Sequence, residues 1–225
     1  MKQDDVIGCG VITVVIIAIV LSINVSIFVG VLFFFGVGGL IKNAPEIYDY
    51  LKKQKGPFFI DPRDGKKYRT VKIGKQVWMA QNLNYEAEGS KCYNNDSAKA
   101  KKYGRLYDWE TAMKACPEGW HLPSDAEWDE LINYAYSHGL KASSGWNNDA
   151  FTGNSANGSD VYGFSALPGG KGEGFGGFSS IGDEGNWWSS SSRCWYMFGN
   201  MGFESGLGSG KLCSVRCVQD QGNET

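Results

Sequence analysis

Two short segments combine aromatic rings with amide and carboxylate groups, which is the chemistry of a binding surface. One segment runs from Trp146 to Asp149 and the other from Asp183 to Trp188. Aromatic rings stack on the faces of sugars, while amides and carboxylates form hydrogen bonds with hydroxyl groups. The sequence therefore predicts ligand-binding residues in both segments, namely Trp146, Asn147, Asn148, Asp149, Asp183, Glu184, Trp187 and Trp188.

A structural role is the competing interpretation for the three tryptophans. Consecutive residues of a β-strand point to opposite faces of the sheet. At least one of Trp187 and Trp188 is therefore expected in the core. For Trp146, a buried and an exposed position agree equally well with the sequence.

The sequence offers little support for catalysis. It contains no HExxH, GxSxG, phosphate-binding loop or dinucleotide fingerprint. The carboxylates of Asp125 and Glu127 lie in the first turn of a predicted helix, where the helix dipole favours negative charge. Cys213 and Cys217 do not have a zinc-ligand spacing, and the chain contains only 2 histidines. We therefore expect no catalytic residue, no metal and no cofactor.

The charge balance argues against a nucleic-acid partner. The 225 residues carry 22 Lys and Arg against 24 Asp and Glu, a formal net charge of −2. A protein that binds nucleic acid through its overall field is typically basic. The length is sufficient for one domain of ordinary size with an appendage.

The elements that must position the two segments follow from local patterns. Alternation over residues 68–73 and 76–80, joined by Gly74 and Lys75, predicts a hairpin with a type II′ turn. Two amphipathic helices are predicted, one over residues 108–115 and one after Ser124, which has Glu127 at the capping-box spacing and Gly139 as its stop. Strands are predicted near residues 186–190, 194–199 and 212–218. The Gly-, Asn- and Ser-rich region from about residue 143 to 184 is predicted to form ordered loops.

An apolar run from Val6 to Ile41 carries no charged residue. More than about 18 consecutive apolar residues are typical of a membrane-spanning helix, and the preceding MKQDD lacks the basic character of a signal peptide. Small residues at i+4 spacing, with Asn24 beside them, favour close packing against a second helix. Self-association through this stripe is one interpretation, and chance is the other, because small residues are common in such helices. The members of the stripe are Ala18, Ser22, Ser26 and Gly30.

The indications of membrane orientation disagree. Four lysines follow the apolar run and, by the positive-inside tendency, favour a cytoplasmic domain: Lys42, Lys52, Lys53 and Lys55. The cysteines of the domain favour an oxidising compartment instead. We favour an extracytoplasmic domain.

Four segments of the chain resemble the Fibrobacter succinogenes major paralogous domain family. They are DGKKYRTVKIGKQVWMAQNLNYEAEGSKCYNN, KYGRLYDWETAMKACPEGWHLPSDAEWDEL, GFSALPGG and SVRCV, and the similarity covers nearly all of residues 58–220. In addition, HLPSDAEWDEL is similar to the RLPTEAEWE signature of the formylglycine-generating sulfatase-modifying group. The resemblance implies an α+β, C-type-lectin-like fold with a small antiparallel sheet, two helices and long Gly-rich loops.

The same resemblance implies a disulfide between Cys116 and Cys217. Cys194 and Cys213 lie in neighbouring predicted strands and form a second candidate bridge. Cys92 is left over, as a free or an intermolecular thiol. The calcium motifs of lectins, Glu-Pro-Asn and Gln-Pro-Asp, are absent. This absence argues against calcium-dependent sugar binding.

The sequence thus predicts an N-terminal tail (1–5), a transmembrane helix (6–41), a juxtamembrane linker (42–57), a C-type-lectin-like paralogous domain (58–220) and a C-terminal tail (221–225). We expect a single-pass membrane protein with its domain in the periplasm or at the cell surface. The expected function is non-catalytic ligand binding or adhesion, with carbohydrate or a cell-surface protein as the ligand. Two alternatives stay open: a structural or assembly protein that docks a protein partner, and an oxidase of the formylglycine-generating type that uses Cys213 and Cys217.

Overall fold

The computed structural model describes residues 56–174 and 176–221, which form a β-rich domain. Its strands are β1 (Phe58–Ile60), β2 (Lys67–Ile73), β3 (Gln76–Met79), β4 (Leu106–Tyr107), β5 (Trp120–His121), β6 (Gly169–Glu173), β7 (Gly177–Ile181), β8 (Glu184–Trp188), β9 (Arg193–Phe198), β10 (Glu204–Leu207), β11 (Lys211–Ser214) and β12 (Val218–Gln219). Its helices are short, and comprise α1 (Ser97–Tyr103), α2 (Trp109–Ala115), α3 (Asp125–Tyr134) and α4 (Ser137–Leu140).

The first sheet is antiparallel and has the strand order β1-β2-β3-β12-β5. Its β2–β3 hairpin is the one that the sequence predicts, and Ile73 pairs with Gln76 across the turn. Gly74 has a φ of +59°, which suits the first central position of a type II′ turn and which other residues rarely adopt. The hairpin therefore follows from local turn chemistry.

The second sheet is mixed and has the order β10-β9-β8-β11-β6-β7, with β4 paired to β11. Strand β8 lies near its centre, antiparallel to β9 and parallel to both β11 and β6. Trp187 on β8 lies opposite Trp195 on β9. Residues that face each other across neighbouring strands share one side of a sheet, so both indoles enter the same part of the core.

Side-chain caps start both of the helices that the sequence predicts, α2 and α3. The Asp108 carboxylate accepts a hydrogen bond from the Thr111 amide at 2.7 Å and caps α2. The predicted capping box of α3 is present: the Ser124 hydroxyl accepts from the Glu127 amide, and the Glu127 carboxylate accepts from the Ser124 amide. Helix α3 ends at Tyr134, ahead of the predicted stop, and residues 137–140 form the separate helix α4.

Large rings fill the core between these elements. Trp128 from α3 lies at the centre, with its ring centroid 4.9 Å from that of Trp78 and 6.1 Å from that of Trp195. Phe164 and Trp187 belong to the same cluster. A second buried cluster lies around Tyr107, Trp120, Leu122 and Trp188. The rings bury large apolar areas in tilted, edge-on and stacked contacts, which explains how a glycine-rich chain packs stably.

The predicted fold class is wrong. In place of one small antiparallel sheet with two flanking helices, the described residues form two sheets with few, short helices. The glycine-rich region contributes β6 and β7, although it was expected to form loops. Glycine lets these strands approach closely, since a Cβ atom on Gly170 would lie 2.5 Å from the carbonyl oxygen of Ser179. A run such as GGKGE shows no alternation of apolar and polar residues that would reveal a strand.

The N-terminal transmembrane helix of that prediction also finds no support. Among the residues that the structure describes, no helix is both long enough and apolar enough to cross a membrane. The predicted segment 6–41, with the stripe of Ala18, Ser22, Ser26 and Gly30, lies outside the described residues. Residues 1–5, the linker up to residue 55 and residues 222–225 also lie outside the described residues.

A disulfide joins Cys116, directly after α2, to Cys217, directly before β12. The two Cα atoms are 5.9 Å apart, and 101 positions separate the residues in the chain. The pairing is the one that the family resemblance implies. Closing a loop of this length contributes about 4–5 kcal/mol in the chain-entropy model, so the bond is a major constraint on the domain.

The other cysteines of the domain are thiols. Cys194 and Cys213 are buried on β9 and β11, with their sulfur atoms 2.6 Å apart and no bond between them. Burial raises the pKa of the Cys213 thiol, and the contact with Cys194 adds to the effect. The second bridge therefore stays a prediction. Cys92 is half-buried and accepts a hydrogen bond from Arg105 at 3.3 Å.

Candidate ligand-binding site

The fold brings together four of the predicted ligand-binding residues around one open depression. Asn147, Asn148 and Asp149 come from the loop after α4, and Asp183 comes from the β7–β8 turn. The depression has a volume of about 210 Å³. Its remaining lining comprises Ala150, Ser180, Phe198 and Gly199.

Backbone and side-chain hydrogen bonds dock this loop onto the β7–β8 turn. The backbone N–H of Asn147 donates to the Gly182 carbonyl at 2.8 Å, and the side-chain Nδ2 of Asn147 donates to Asp183 Oδ1 at 3.0 Å. The contact needs glycine, because Gly182 has a φ of +90° and a Cβ atom there would lie 2.5 Å from the Asn147 Nδ2. Asn147 therefore positions Asp183, and Gly182 makes their contact possible.

Asp149 has a mainly structural role in the same loop. Its Oδ1 accepts hydrogen bonds from the Phe151 amide, the Thr152 amide and the Thr152 hydroxyl, and its Oδ2 accepts from the Asn200 amide. These bonds, chiefly those from Thr152, hold the pKa of Asp149 below its ordinary value. Because four donors already occupy the carboxylate, Asp149 shapes the depression and does not offer a free acceptor.

A buried lysine supports the depression from below. Lys141 Nζ donates to the carbonyl oxygens of Gly199 and Ala156 and lies 4.2 Å from the centroid of a Trp146 ring. Burial lowers the pKa of Lys141 to about 8, against the opposing attraction of Asp149. The cation thus connects the loop after α4 to the turn after β9, and this connection fixes the position of Gly199 at the rim.

The tryptophans predicted to bind ligand lie in the core. Trp146, Trp187 and Trp188 are 5%, 0% and 1% exposed, so none presents a ring face at the surface. Their indole nitrogens donate to buried acceptors, which are the Ala166 carbonyl, the Asn82 side chain and the Tyr107 carbonyl, respectively. For all three residues the structure therefore agrees with the competing structural interpretation.

Glu184 does not line the depression and forms an ion pair with Lys171. Its Oε2 lies 2.8 Å from Lys171 Nζ and accepts a hydrogen bond from Asn186 at 3.3 Å. The pair fixes β8 against β6, since Glu184 and Lys171 come from these two neighbouring strands. Glu184 therefore has a structural role within the second sheet.

Phe198 and Ser180 belong to the site, and sequence reasoning missed both. Phe198 is partly exposed at the end of β9 and supplies the aromatic surface that was expected from the tryptophans. Ser180 lies on β7, lines the depression and has a left-handed backbone conformation with a φ of +63°. An uncommon positive φ on a residue other than glycine marks a tightly determined turn. No local pattern in the sequence reveals either contribution, because both depend on how β7 and β9 meet the loop.

A second polar group, centred on His121, joins the start of α3 to the chain after β12. His121 Nδ1 lies 2.6 Å from Asp220 Oδ1, and Nε2 lies 2.7 Å from Glu127 Oε1. Partial burial lowers the pKa of His121, but the hydrogen bonds to both carboxylates outweigh it and raise the pKa above its ordinary value. Both ring nitrogens are engaged, so the imidazole is a structural link.

The described residues do not gather three or more His, Cys, Asp or Glu side chains in a metal-binding group. Cys217, which the oxidase alternative requires as a thiol, is bonded to Cys116. The predicted binding residues that stay at the surface thus line a small polar depression with one aromatic ring.

Comparison with known families supports the resemblance carried by the sequence. The model of the Fibrobacter succinogenes major domain matches residues 71–219, about two thirds of the chain. The chain belongs to this family. The matched range includes the turn of the β2–β3 hairpin with all of β3, the disulfide and every residue of the depression. Neither the curated proteins nor the solved structures contain a significant match to the chain.

Proposed function

We propose that this member of the Fibrobacter succinogenes major domain family is a binding module for carbohydrate, which it holds in the depression between Asn147 and Asp183. The observation that carries the proposal is the convergence of an aromatic ring, two amides, a hydroxyl and a carboxylate on one concave surface. An apolar ring face together with hydrogen-bonding groups is what a sugar ring requires. The proposal does not depend on a C-type-lectin-like fold.

The free hydrogen-bonding capacity of the depression supports this assignment. Within the described residues, Asp183 Oδ1 accepts from Asn147, while Oδ2 has no intramolecular donor. The Asn148 side chain is exposed and makes no intramolecular hydrogen bond there. A carboxylate oxygen and an amide are thus left to bind two neighbouring hydroxyls. Sites for drug-sized ligands usually measure about 300–1,000 Å³, so a depression of about 210 Å³ suits a single sugar unit.

Binding to a glycan array, followed by calorimetry with the best oligosaccharide, tests the proposal. Asp183→Asn keeps the shape of the side chain but removes the charge, and a hydrogen bond to a charged group is worth about 1.5–3 kcal/mol. We expect Asp183→Asn to weaken binding about tenfold. Asp129→Asn, an exposed carboxylate on α3, is the matched control and should bind as the wild type does.

Two results would contradict the proposal. If the wild-type domain binds no glycan but forms a stable complex with a protein, the docking alternative is favoured. If it binds a glycan and Asp183→Asn does so with unchanged affinity, the site lies elsewhere.

We also propose that the domain functions outside the cytoplasm. The support is the Cys116–Cys217 disulfide, because such bonds persist in oxidising compartments and are rare in the cytosol. Protease accessibility in intact cells, combined with mass mapping under non-reducing conditions, tests this. Protection from protease with both cysteines reduced would overturn it.

A further inference from the structure

A second and larger cavity lies on another part of the domain, between the start of β2 and the end of α1. Its volume is about 390 Å³. Five cationic side chains line it and no carboxylate does; the cations are Lys66, Lys67, Arg69, Lys101 and Lys102. We call this cavity the basic cleft. A protein with a net charge of −2 thus concentrates nearly a quarter of its 22 cationic residues in one place.

Strand geometry and one close approach of the backbone build the basic cleft. Lys67 and Arg69 are two positions apart on β2, so they share a face while Tyr68 between them enters the core. The last turn of α1 brings Lys101 and Lys102 to the opposite wall. This wall can approach because Gly104 follows α1, where a Cβ atom would lie 2.7 Å from the Asn82 side chain.

A buried network forms the floor and holds the two walls together. Asn82 Nδ2 donates to the Tyr103 carbonyl at the end of α1 at 2.8 Å. Asn82 Oδ1 accepts from Arg216 Nη2 at 2.7 Å, and Arg216 also donates to the carbonyls of Phe164 and Ser165. Arg216 is 0% exposed, and burial, with the nearby Arg69 charge second, lowers its pKa to about 9. At neutral pH the guanidinium is still charged and adds fixed positive charge beneath the cleft.

The cations of the walls are largely not neutralised within the domain. Lys66 forms an ion pair with Asp64 at 3.0 Å, and the Asp160 carboxylate attracts the Arg69 guanidinium. Lys67 lies over the Phe58 ring, and Arg69 donates to Ser165 Oγ at 3.1 Å. The helix dipole favours lysines at the end of α1, but it does not account for their convergence with Lys67 and Arg69. Converging like charges repel one another, and a bound polyanion would remove that cost.

We infer that the basic cleft binds an acidic polysaccharide, one that carries carboxylate or sulfate groups along its chain. The cleft also offers neutral hydrogen-bonding groups for sugar hydroxyls, from Gln81, Asn84 and Ser165. Nucleic acid fits less well, because single strands are held by stacking on exposed rings. The one aromatic residue that lines the cleft, Tyr68, is 3% exposed and points into the core. The inference concerns a site separate from the proposed carbohydrate depression and does not rest on it.

Calorimetry with a linear oligogalacturonate tests the inference. The comparison ligands are the same oligosaccharide after reduction of its carboxylates, and a single-stranded DNA of equal charge. The test variant is Lys101→Gln/Lys102→Gln, which changes two exposed side chains and leaves the buried floor intact. The matched control is Lys72→Gln/Lys75→Gln, which removes the same charge from exposed positions outside the cleft. Thermal unfolding of each variant confirms that the fold is unchanged.

We expect the oligogalacturonate to bind and the reduced chain not to bind. Exposed charge pairs are individually weak, so losing two should lower the affinity about fivefold, equivalent to about 1 kcal/mol. The control variant and Asp183→Asn should bind the oligogalacturonate as the wild type does, and added salt should weaken binding. The inference is overturned by equal binding of the reduced chain, by tighter binding of DNA, by an unchanged affinity of Lys101→Gln/Lys102→Gln, or by no binding at all.

Discussion

Removal of the Asn82 side chain tests the buried network beneath the basic cleft. Asn82 is 6% exposed and makes five hydrogen bonds, two of them donated by the Arg216 guanidinium. The others involve the Trp187 indole nitrogen, the Tyr103 carbonyl and the Ser214 hydroxyl. The substitution Asn82→Ala deletes the acceptor of a buried charge together with a partner of three neutral groups.

The expected loss follows from what is left without a partner. Removing one partner of a buried charged group typically costs about 3–5 kcal/mol, and each unsatisfied neutral group costs about 1 kcal/mol or more. Arg216 keeps its bonds to the Phe164 and Ser165 carbonyls, so its share should fall to about 1 kcal/mol. With about 1 kcal/mol for each of the three neutral groups, we expect a total of about 4 kcal/mol. In a domain of this size each kcal/mol lowers the melting temperature by about 2–4 °C, so a decrease of roughly 10 °C is expected.

Urea unfolding of the wild type and two variants measures the effect. Asn82→Asp keeps an acceptor for Arg216 and for the indole but loses the donor to the Tyr103 carbonyl. It should therefore be more stable than Asn82→Ala and less stable than the wild type. The reasoning is refuted if Asn82→Ala loses less than about 1 kcal/mol, or if Asn82→Asp is the less stable variant.

Three further outcomes follow from the described contacts. Replacing Cys116 and Cys217 together by alanine should lower the free energy of unfolding by about 4–5 kcal/mol, and an unchanged urea midpoint would show that the bond does not constrain the unfolded chain. The pKa of His121 is raised in the folded state, so its contribution to stability should be complete below about pH 6.5 and lost as the pH rises through the folded pKa. The free energy of unfolding, measured against pH in the wild type and in His121→Gln, checks this. The two curves should converge at high pH. Gly182→Ala should reduce glycan binding while the domain stays folded, because the new Cβ atom displaces the Asn147 side chain; binding equal to the wild type would contradict the role given to this contact.

Features that depend on neighbouring residues could be predicted from the sequence. The capping box at Ser124 and the hairpin turn at Gly74 are encoded within a few positions of the chain, and both are present. The Cys116–Cys217 disulfide followed from the family resemblance, since 101 positions separate the two residues. The cap and the turn, unlike the disulfide, can be predicted without knowledge of the remaining chain.

The sheets could not be predicted from the same signals. Strands β6 and β7 come from glycine-rich sequence in which no alternation shows. Their formation depends on long-range pairing, and β6 meets both β11 and β8. Glycine has little preference for extended structure, so the partners of these strands decide their conformation.

By itself, the sequence determined the family, the local caps and turns, and the two segments in which amide and carboxylate side chains are concentrated. Only the tertiary structure decided which of those groups share a surface. It placed Asn147 against Asp183, 36 positions away, and it moved Trp146, Trp187 and Trp188 into the core. It also assembled Lys67, Arg69, Lys101 and Lys102 from a strand and a helix into one cleft. The physical reason is that caps and turns depend on neighbouring residues, whereas a site requires distant segments of the chain to come into contact. At a few of these contacts the backbones approach so closely that only glycine fits.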